Sequence, residues 1–181
     1  MPAVSLFRFD ARSDWSRARA LLTRLPGFSG ASIHIQRAPG LRDRHGPVHA
    51  GAFLRERRIA FDCGRAEFPR VFVHELFHFV WLRLGNARRR SYETLLAREH
   101  SAHARGELGW SAEWRKQKLR PADSRLRTRP WREYCCESFC DSAAWLYCGV
   151  TRHEEFTLAR RFRRERAGWF AELTARGRLS I

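Results

Sequence analysis

Apolar and polar positions alternate over residues 3–9, the pattern of a half-buried strand. Ser13 can then cap a helix over about 14–25 that turns Trp15, Ala18, Leu21 and Leu22 inward, with Pro26-Gly27 ending it. Ala31-Ser32-Ile33-His34-Ile35-Gln36 alternates again and predicts a second strand. Residues 37–50, holding Pro39-Gly40, Gly46 and Pro47, read as a loop. Residues 52–62 predict one long strand or a hairpin, closing on Arg58-Ile59-Ala60-Phe61-Asp62-Cys63 before Gly64.

From Pro69 onward the period becomes helical. Segment 69–84 is apolar nearly all round, through Val71, Phe72, Val73, Leu76, Phe77, Phe79, Val80, Trp81 and Leu82, so this helix belongs in the middle of the domain. Further helices are predicted at about 90–105 and 111–118, then an Arg/Pro-rich connection at 119–130 and a helix over about 131–148. Thr151 and Glu154 have the spacing of a capping box opening a last helix, about 152–175. That helix should bury Phe156, Ala159, Phe162, Phe170 and Leu173 and expose Arg160, Arg161, Arg163, Arg164 and Arg166. The expected class is α+β: one domain over 1–181, with a sheet-containing part at 1–68 and a helical part at 69–181.

Composition changes this picture little. A chain of 181 residues with 44% hydrophobic and 30% charged residues can bury a core without disulfide support. No run of eighteen apolar residues exists, so no membrane span is expected. The first residues lack the basic and apolar segments of a secretory leader, and the expected location is the cytoplasm. Five cysteines without a C-x-x-C pair argue against a zinc ribbon or a redox motif; reduced, they act as small buried hydrophobes. The net charge of +16 is carried almost wholly by arginine, Lys116 and Lys118 being the only lysines. Such a skew also follows from a GC-rich coding sequence, but the field should still draw nucleic acid or other polyanions without sequence preference.

The chemistry concentrates in His74-Glu75-Leu76-Phe77-His78, an H-E-x-x-H pattern inside the central helix. Four residues turn a helix by about 400°, so both imidazoles leave one face and can take adjacent corners of a zinc tetrahedron. Glu75, one position on, points beside the metal, where it can serve as general base toward water. Charged and imidazole groups in an apolar helix are costly unless paired or metal-bound. Two imidazoles are too few for catalytic zinc, which takes three protein ligands and keeps one position open. The longer Met-turn motif is excluded, because Leu84 stands where its third histidine would fall. Glu137 is the leading third ligand, with Asp141 one turn further along the same face to support an imidazole.

H-E-x-x-H followed by E-x-x-x-D resembles the gluzincins, the thermolysin-type zinc peptidases. Glu137 to Ala144 is also similar to the third-ligand helix of the anti-repressor metallopeptidases. The resemblance spans two helices, under half of the chain. It implies a zincin-like fold, Zn2+ on His74, His78 and Glu137, Glu75 as general base, Asp141 supporting His74, and a protein or peptide substrate, most readily for an endopeptidase. An edge strand just before the zinc helix would pair with extended substrate, and the strand ending at Cys63 is the candidate. Oxyanion donors could be Tyr147, His103, Tyr134 or His153. Other readings stay open: an SprT-like protease using His100 or His103 as third ligand, Glu133 or His153 in that place, a basic DNA-associated protein, or a catalytically silent zinc-stabilised interaction domain.

Overall fold

The computed structural model describes residues 6–11, 13–43 and 46–181. The chain opens with β1 (Phe7–Phe9), α1 (Ser16–Leu22), β2 (Phe28–Ser29) and β3 (Ile33–Arg37). The hairpin β4 (Arg42–Asp43) and β5 (Gly46–Pro47) follows, then β6 (Ala50–Phe53) and β7 (Arg58–Phe61). One sheet has the order β1-β3-β7-β6; its first three strands are parallel, and β6 returns antiparallel to β7 as a hairpin partner. The edge next to the helices is therefore β6, and β7, the strand expected to receive substrate, is interior to the sheet.

Helices make up the rest: α2 (Phe68–Arg83), α3 (Asn86–Ser101), α4 (Trp110–Lys116), α5 (Pro121–Leu126), α6 (Arg129–Tyr147) and α7 (Arg160–Ala175), before a short β8 (Leu179–Ser180). β8 pairs with β2, bringing the C-terminal segment back to the loop after α1. Gly30 permits this closeness: its φ is +131°, and a Cβ there would collide with the Ile181 carbonyl oxygen. The architecture is mixed α and β with a small N-terminal sheet, and no helix among the described residues is long and apolar enough to cross a membrane.

The all-round apolar character of α2 is explained by its place. Phe61 of β7 stacks on Phe72 at 5.8 Å; on the other side Phe77 meets Phe139 of α6 at 5.8 Å, and Phe139 stacks on Phe170 of α7 at 5.0 Å. An aromatic chain thus crosses the molecule from sheet to C-terminal helix, and each such pair adds about 0.5–1.5 kcal/mol beyond simple burial. α2 is fixed on both sides.

Several local expectations are corrected. The start of the first predicted strand, residues 3–5, lies outside the described residues; β1 begins at Phe7. Ser13 does not cap α1; the Asp14 carboxylate accepts the Ser16 N–H at 2.9 Å instead. The 119–130 connection contains α5, started by Pro121 and by Asp123 accepting the Arg120 N–H at 2.6 Å. Thr151 and Glu154 open no helix, because the backbone there is claimed elsewhere. The N–H groups of Thr157 and Leu158 both reach the Glu107 carbonyl at 2.9 Å, and α7 starts only at Arg160. Phe156 and Leu158 pack with Ala104, Leu108 and Phe162 in a second small core, and Ala159 is exposed.

Arg166 is the largest correction. Expected on a solvated basic face, it is fully buried. Its guanidinium donates to Glu99 at 2.6 Å and to Glu107 at 2.7 Å, and Nη1 reaches Ser142 Oγ at 3.2 Å. Glu107 also accepts from Tyr134 Oη at 2.5 Å and pairs with Lys116 Nζ at 3.2 Å. Burial pushes the Glu99 carboxyl up. Burial opposes ionisation of Glu107 too, but the Arg166 charge beside it wins and holds that carboxyl below its ordinary value. Sequence periodicity reports which face of a helix is polar, not whether the facing helices carry two carboxylates.

Removing the cation should leave the buried Glu99 carboxylate without its partner and Glu107 with Lys116 and Tyr134 alone. Arg166→Ala is expected to destabilise the fold by about 3–5 kcal/mol, read as a lowered urea midpoint. Adding Glu99→Gln and Glu107→Gln should recover part of the loss. A midpoint unchanged by Arg166→Ala would show that the network does not hold these helices together.

Candidate metal centre

α2 and α6 face each other across the core, and each presents a pair of polar groups one turn apart. From α2 come His74 and His78, from α6 Glu137 and Asp141. His74 Nε2 lies 3.2 Å from His78 Nε2 and 3.3 Å from Glu137 Oε2, and His78 Nε2 lies 3.9 Å from the same oxygen. Four ligands at ~2.0–2.1 Å from a tetrahedral zinc stand about 3.3–3.4 Å apart. Two of the three separations match and the third is slightly open. Three lone-pair donors thus converge on one point, and this set could hold a divalent ion.

The electrostatics say the same. Burial works against an imidazolium at His74, but the Asp141 and Glu137 carboxylates overcome it and raise its pKa well above the ordinary value. Burial likewise opposes a charge on His78, which Cys136 and Glu137 reverse, lifting it to about 9. Burial would raise Glu137, yet its hydrogen bond with His74 and the charge of His78 draw it down to about 2. The cluster calls for positive charge at its centre, supplied by protons or by a cation.

Asp141 fixes the geometry. It is 2% exposed, and its Oδ1 accepts from His74 Nδ1 at 2.7 Å, which leaves Nε2 as the lone-pair nitrogen facing the cluster. Its Oδ2 accepts the Ala112 N–H at 3.0 Å, a donor in the first turn of α4 that has no partner within its own helix. Gly109 makes this possible through space alone: its backbone is extended, with φ at 179°, but a Cβ there would lie 2.2–2.5 Å from the Asp141 carboxylate. A second carboxylate, Glu155, accepts the neighbouring Trp110 N–H at 2.6 Å and pairs with Arg70 at 2.9 Å. Arg115 of α4 stands 3.3 Å from Glu137 Oε1, so the Glu137 carboxylate is also oriented from outside.

Of these groups His74, Asp141 and Glu155 line a cleft of ≈ 710 Å3. His74, Glu75 and Asp141 line it together with Pro47 to Ala50, which bring the start of β6, and with Trp110, His153 and Glu155. Glu75 is half-buried and faces the cleft. The edge strand beside the metal cluster is β6, not the strand ending at Cys63.

The other candidates are placed elsewhere. Tyr147 stacks on Phe77 at 5.7 Å in the aromatic core. His103 is exposed past the end of α3, with φ at 51°. Tyr134 is spent on Glu107. His100 lies against the Trp131 ring at 6.2 Å, and Glu133 pairs with Arg129 at 2.7 Å on the surface. Among the described residues neither His100, His103 nor Glu133 joins a metal-capable cluster with His74 and His78. Of the four oxyanion donors weighed, His153 alone lines the cleft, its Nε2 3.3 Å from Glu67 Oε1. Nothing in the local sequence marks it, because it arrives on the irregular segment that carries Glu155.

The five cysteines are free. Cys135, Cys140 and Cys148 are buried as expected, while Cys63 and Cys136 are half-buried. Cys136 Sγ lies 3.5 Å from His78 Nδ1. A hydrogen bond with Cys140, together with the neighbouring His78, draws the Cys136 thiol down to about 6, whereas burial pushes Cys140 well above its ordinary value. No family model, curated protein or solved structure matches this chain.

Proposed function

We propose that the chain is a zinc-dependent peptidase of gluzincin-like, zincin-type organisation, with His74, His78 and Glu137 as ligands and Glu75 as general base. One observation carries the reading: the two Nε2 atoms and Glu137 Oε2 converge at near-tetrahedral spacings, and His74 of that set lines a cleft together with Glu75. A zinc ion held there would polarise a scissile carbonyl and lower the pKa of a water to about 7.

The protein's own groups have separable tasks. Glu75 takes a proton from the attacking water on a carboxylate oxygen and delivers it to the leaving amine. Asp141 keeps the His74 proton on Nδ1 and the ring fixed in orientation. His153 lines the same cleft, but its Nδ1 accepts the Glu155 N–H at 3.2 Å and its Nε2 faces Glu67 Oε1 at 3.3 Å, so it would donate toward a developing oxyanion only on leaving Glu67. Substrate in extended form would lie along β6, whose outer backbone groups have no strand partner in the sheet. The expected substrate is a protein or peptide. The exposed arginines of α7, Arg160, Arg161 and Arg164, remain the surface for any polyanion contact.

Metal content and cleavage of an unfolded protein substrate test this directly. Glu75→Gln should retain about one zinc per chain and lose turnover by at least ~10²-fold, the scale of a lost acid–base catalyst. Glu137→Ala should weaken zinc binding by about 10- to 100-fold or more. Full cleavage by Glu75→Gln removes the proposed mechanism. Zinc held tightly by a wild type that cleaves nothing would instead favour a silent, metal-stabilised domain, and duplex binding that survives Glu75→Gln would belong to the basic surface.

Gly109 yields an independent prediction. Gly109→Ala should push Asp141 off His74 and lower zinc affinity by about 10- to 100-fold, with Asp141→Asn producing a loss of similar size. Zinc affinity measured by competition with a chelating dye checks it. An unaltered affinity in Gly109→Ala would mean that Asp141 does not set the ligand geometry.

A further inference from the structure

His78 has two ring nitrogens, and both face ligands. Nε2 points to His74 and Glu137. Nδ1 points the other way, to Cys136 Sγ at 3.5 Å, and Cys140 lies one turn further along α6. One donor atom from each of His78, Cys136 and Cys140 falls within 4.8 Å of the other two. α6 therefore carries two adjacent stripes: Glu137 with Asp141 serves one imidazole face, and Cys136 with Cys140 serves the back of His78.

We propose that His78 Nδ1, Cys136 Sγ and Cys140 Sγ form a second, thiophilic metal site that competes with the first for His78. Two thiolates and an imidazole are a soft donor set, suited to copper(I), cadmium(II) or excess zinc(II) rather than to calcium or magnesium. The site is largely enclosed: Cys140 is fully buried, and Cys136 and His78 are half-buried. Binding expels the two thiol protons and any proton on Nδ1. A neutral imidazole has only one lone-pair nitrogen. An ion on Nδ1 therefore removes His78 from the His74–Glu137 cluster or forces it to an imidazolate. Occupancy of the two sites is antagonistic, and the antagonism is reciprocal. The ligand set does not depend on the peptidase reading; only the consequence, inhibition by thiophilic ions, rests on it.

Cadmium titration of the reduced, metal-free full chain tests the site, followed by thiolate-to-metal charge-transfer absorption in the ultraviolet. Wild type should develop the band, and Glu137→Gln should keep it. Cys136→Ser and Cys140→Ser should each weaken its formation by about 10- to 100-fold or more. Cys140 is a core residue, so Cys136→Ser at the half-buried position carries the test if Cys140→Ser fails to fold. Protection of Cys136 from alkylation by saturating Cd2+ is the second readout. Absence of the band in wild type, or a band undiminished by Cys136→Ser, would overturn the proposal. Full cleavage by Glu75→Gln, or unaltered zinc affinity in Glu137→Ala, would remove the peptidase reading and leave this result untouched, so the two readings fail separately.

Discussion

The Asp141 carboxylate ties three elements together through one buried side chain. One oxygen holds His74 of α2, the other closes the first turn of α4, and the side chain itself belongs to α6. Each of these partners is an obligatory donor in a buried place: an imidazole N–H and a helix-end amide. Leaving either unsatisfied costs about 1–3 kcal/mol, so the carboxylate is held from both sides. The imidazole it orients then has one free direction for Nε2, toward His78 and Glu137. Gly109 is the counterpart of this arrangement, the one place where the chain must carry no side chain so that α4 can come close enough.

A second polar cluster fixes α6 from behind. Arg166 of α7 reaches Glu99 of α3, Glu107 in the segment before α4, and Ser142 of α6. Its position along α6 is one residue from Asp141, so the back of the metal helix is registered by an ion network while its front registers α4. A buried network of this kind is weak grounds for high stability, since hydrophobic replacement often matches it. Its geometric effect is clearer. A shift of α7 or α4 would break several charge-assisted hydrogen bonds together.

How far these features could be read from the chain depended on range. The H-E-x-x-H turn, the Glu137–Asp141 pair and the central place of α2 are local periodicities, and each lies where its spacing puts it. Glu137, and neither His100 nor His103, lies beside the two imidazoles for a reason that is not local: α6 packs on α2, whereas His100 at the end of α3 lies against Trp131. What escaped detection was non-local. Arg166 looks like its exposed neighbour Arg164 until Glu99 and Glu107 are brought to it. Thr151-x-x-Glu154 has a helix-start spacing, but the backbone N–H groups of 157 and 158 bind the Glu107 carbonyl, and tertiary pairing overrides the local preference. The hairpin at β6–β7 was open as an alternative, yet which of its strands forms the edge is a property of the sheet.

That displaced segment also bears on the chemistry. Because 151–159 stays irregular, it can send Glu155 to the start of α4 and to Arg70 while His153 turns to Glu67 at the cleft wall. A helix beginning at 152 would have left α4 one cap poorer and the cleft without one of the two imidazoles, His49 and His153, that line it beside His74. The acidic lining that results, Glu67, Glu75, Asp141 and Glu155 with Arg70 among them, contrasts with a chain of net charge +16. A site that concentrates carboxylates within a strongly basic protein lowers the electrostatic cost of placing a divalent cation there. The charge pattern and the ligand geometry thus favour the same occupant by independent physical routes: one through the field in the cleft, the other through the direction of three lone pairs.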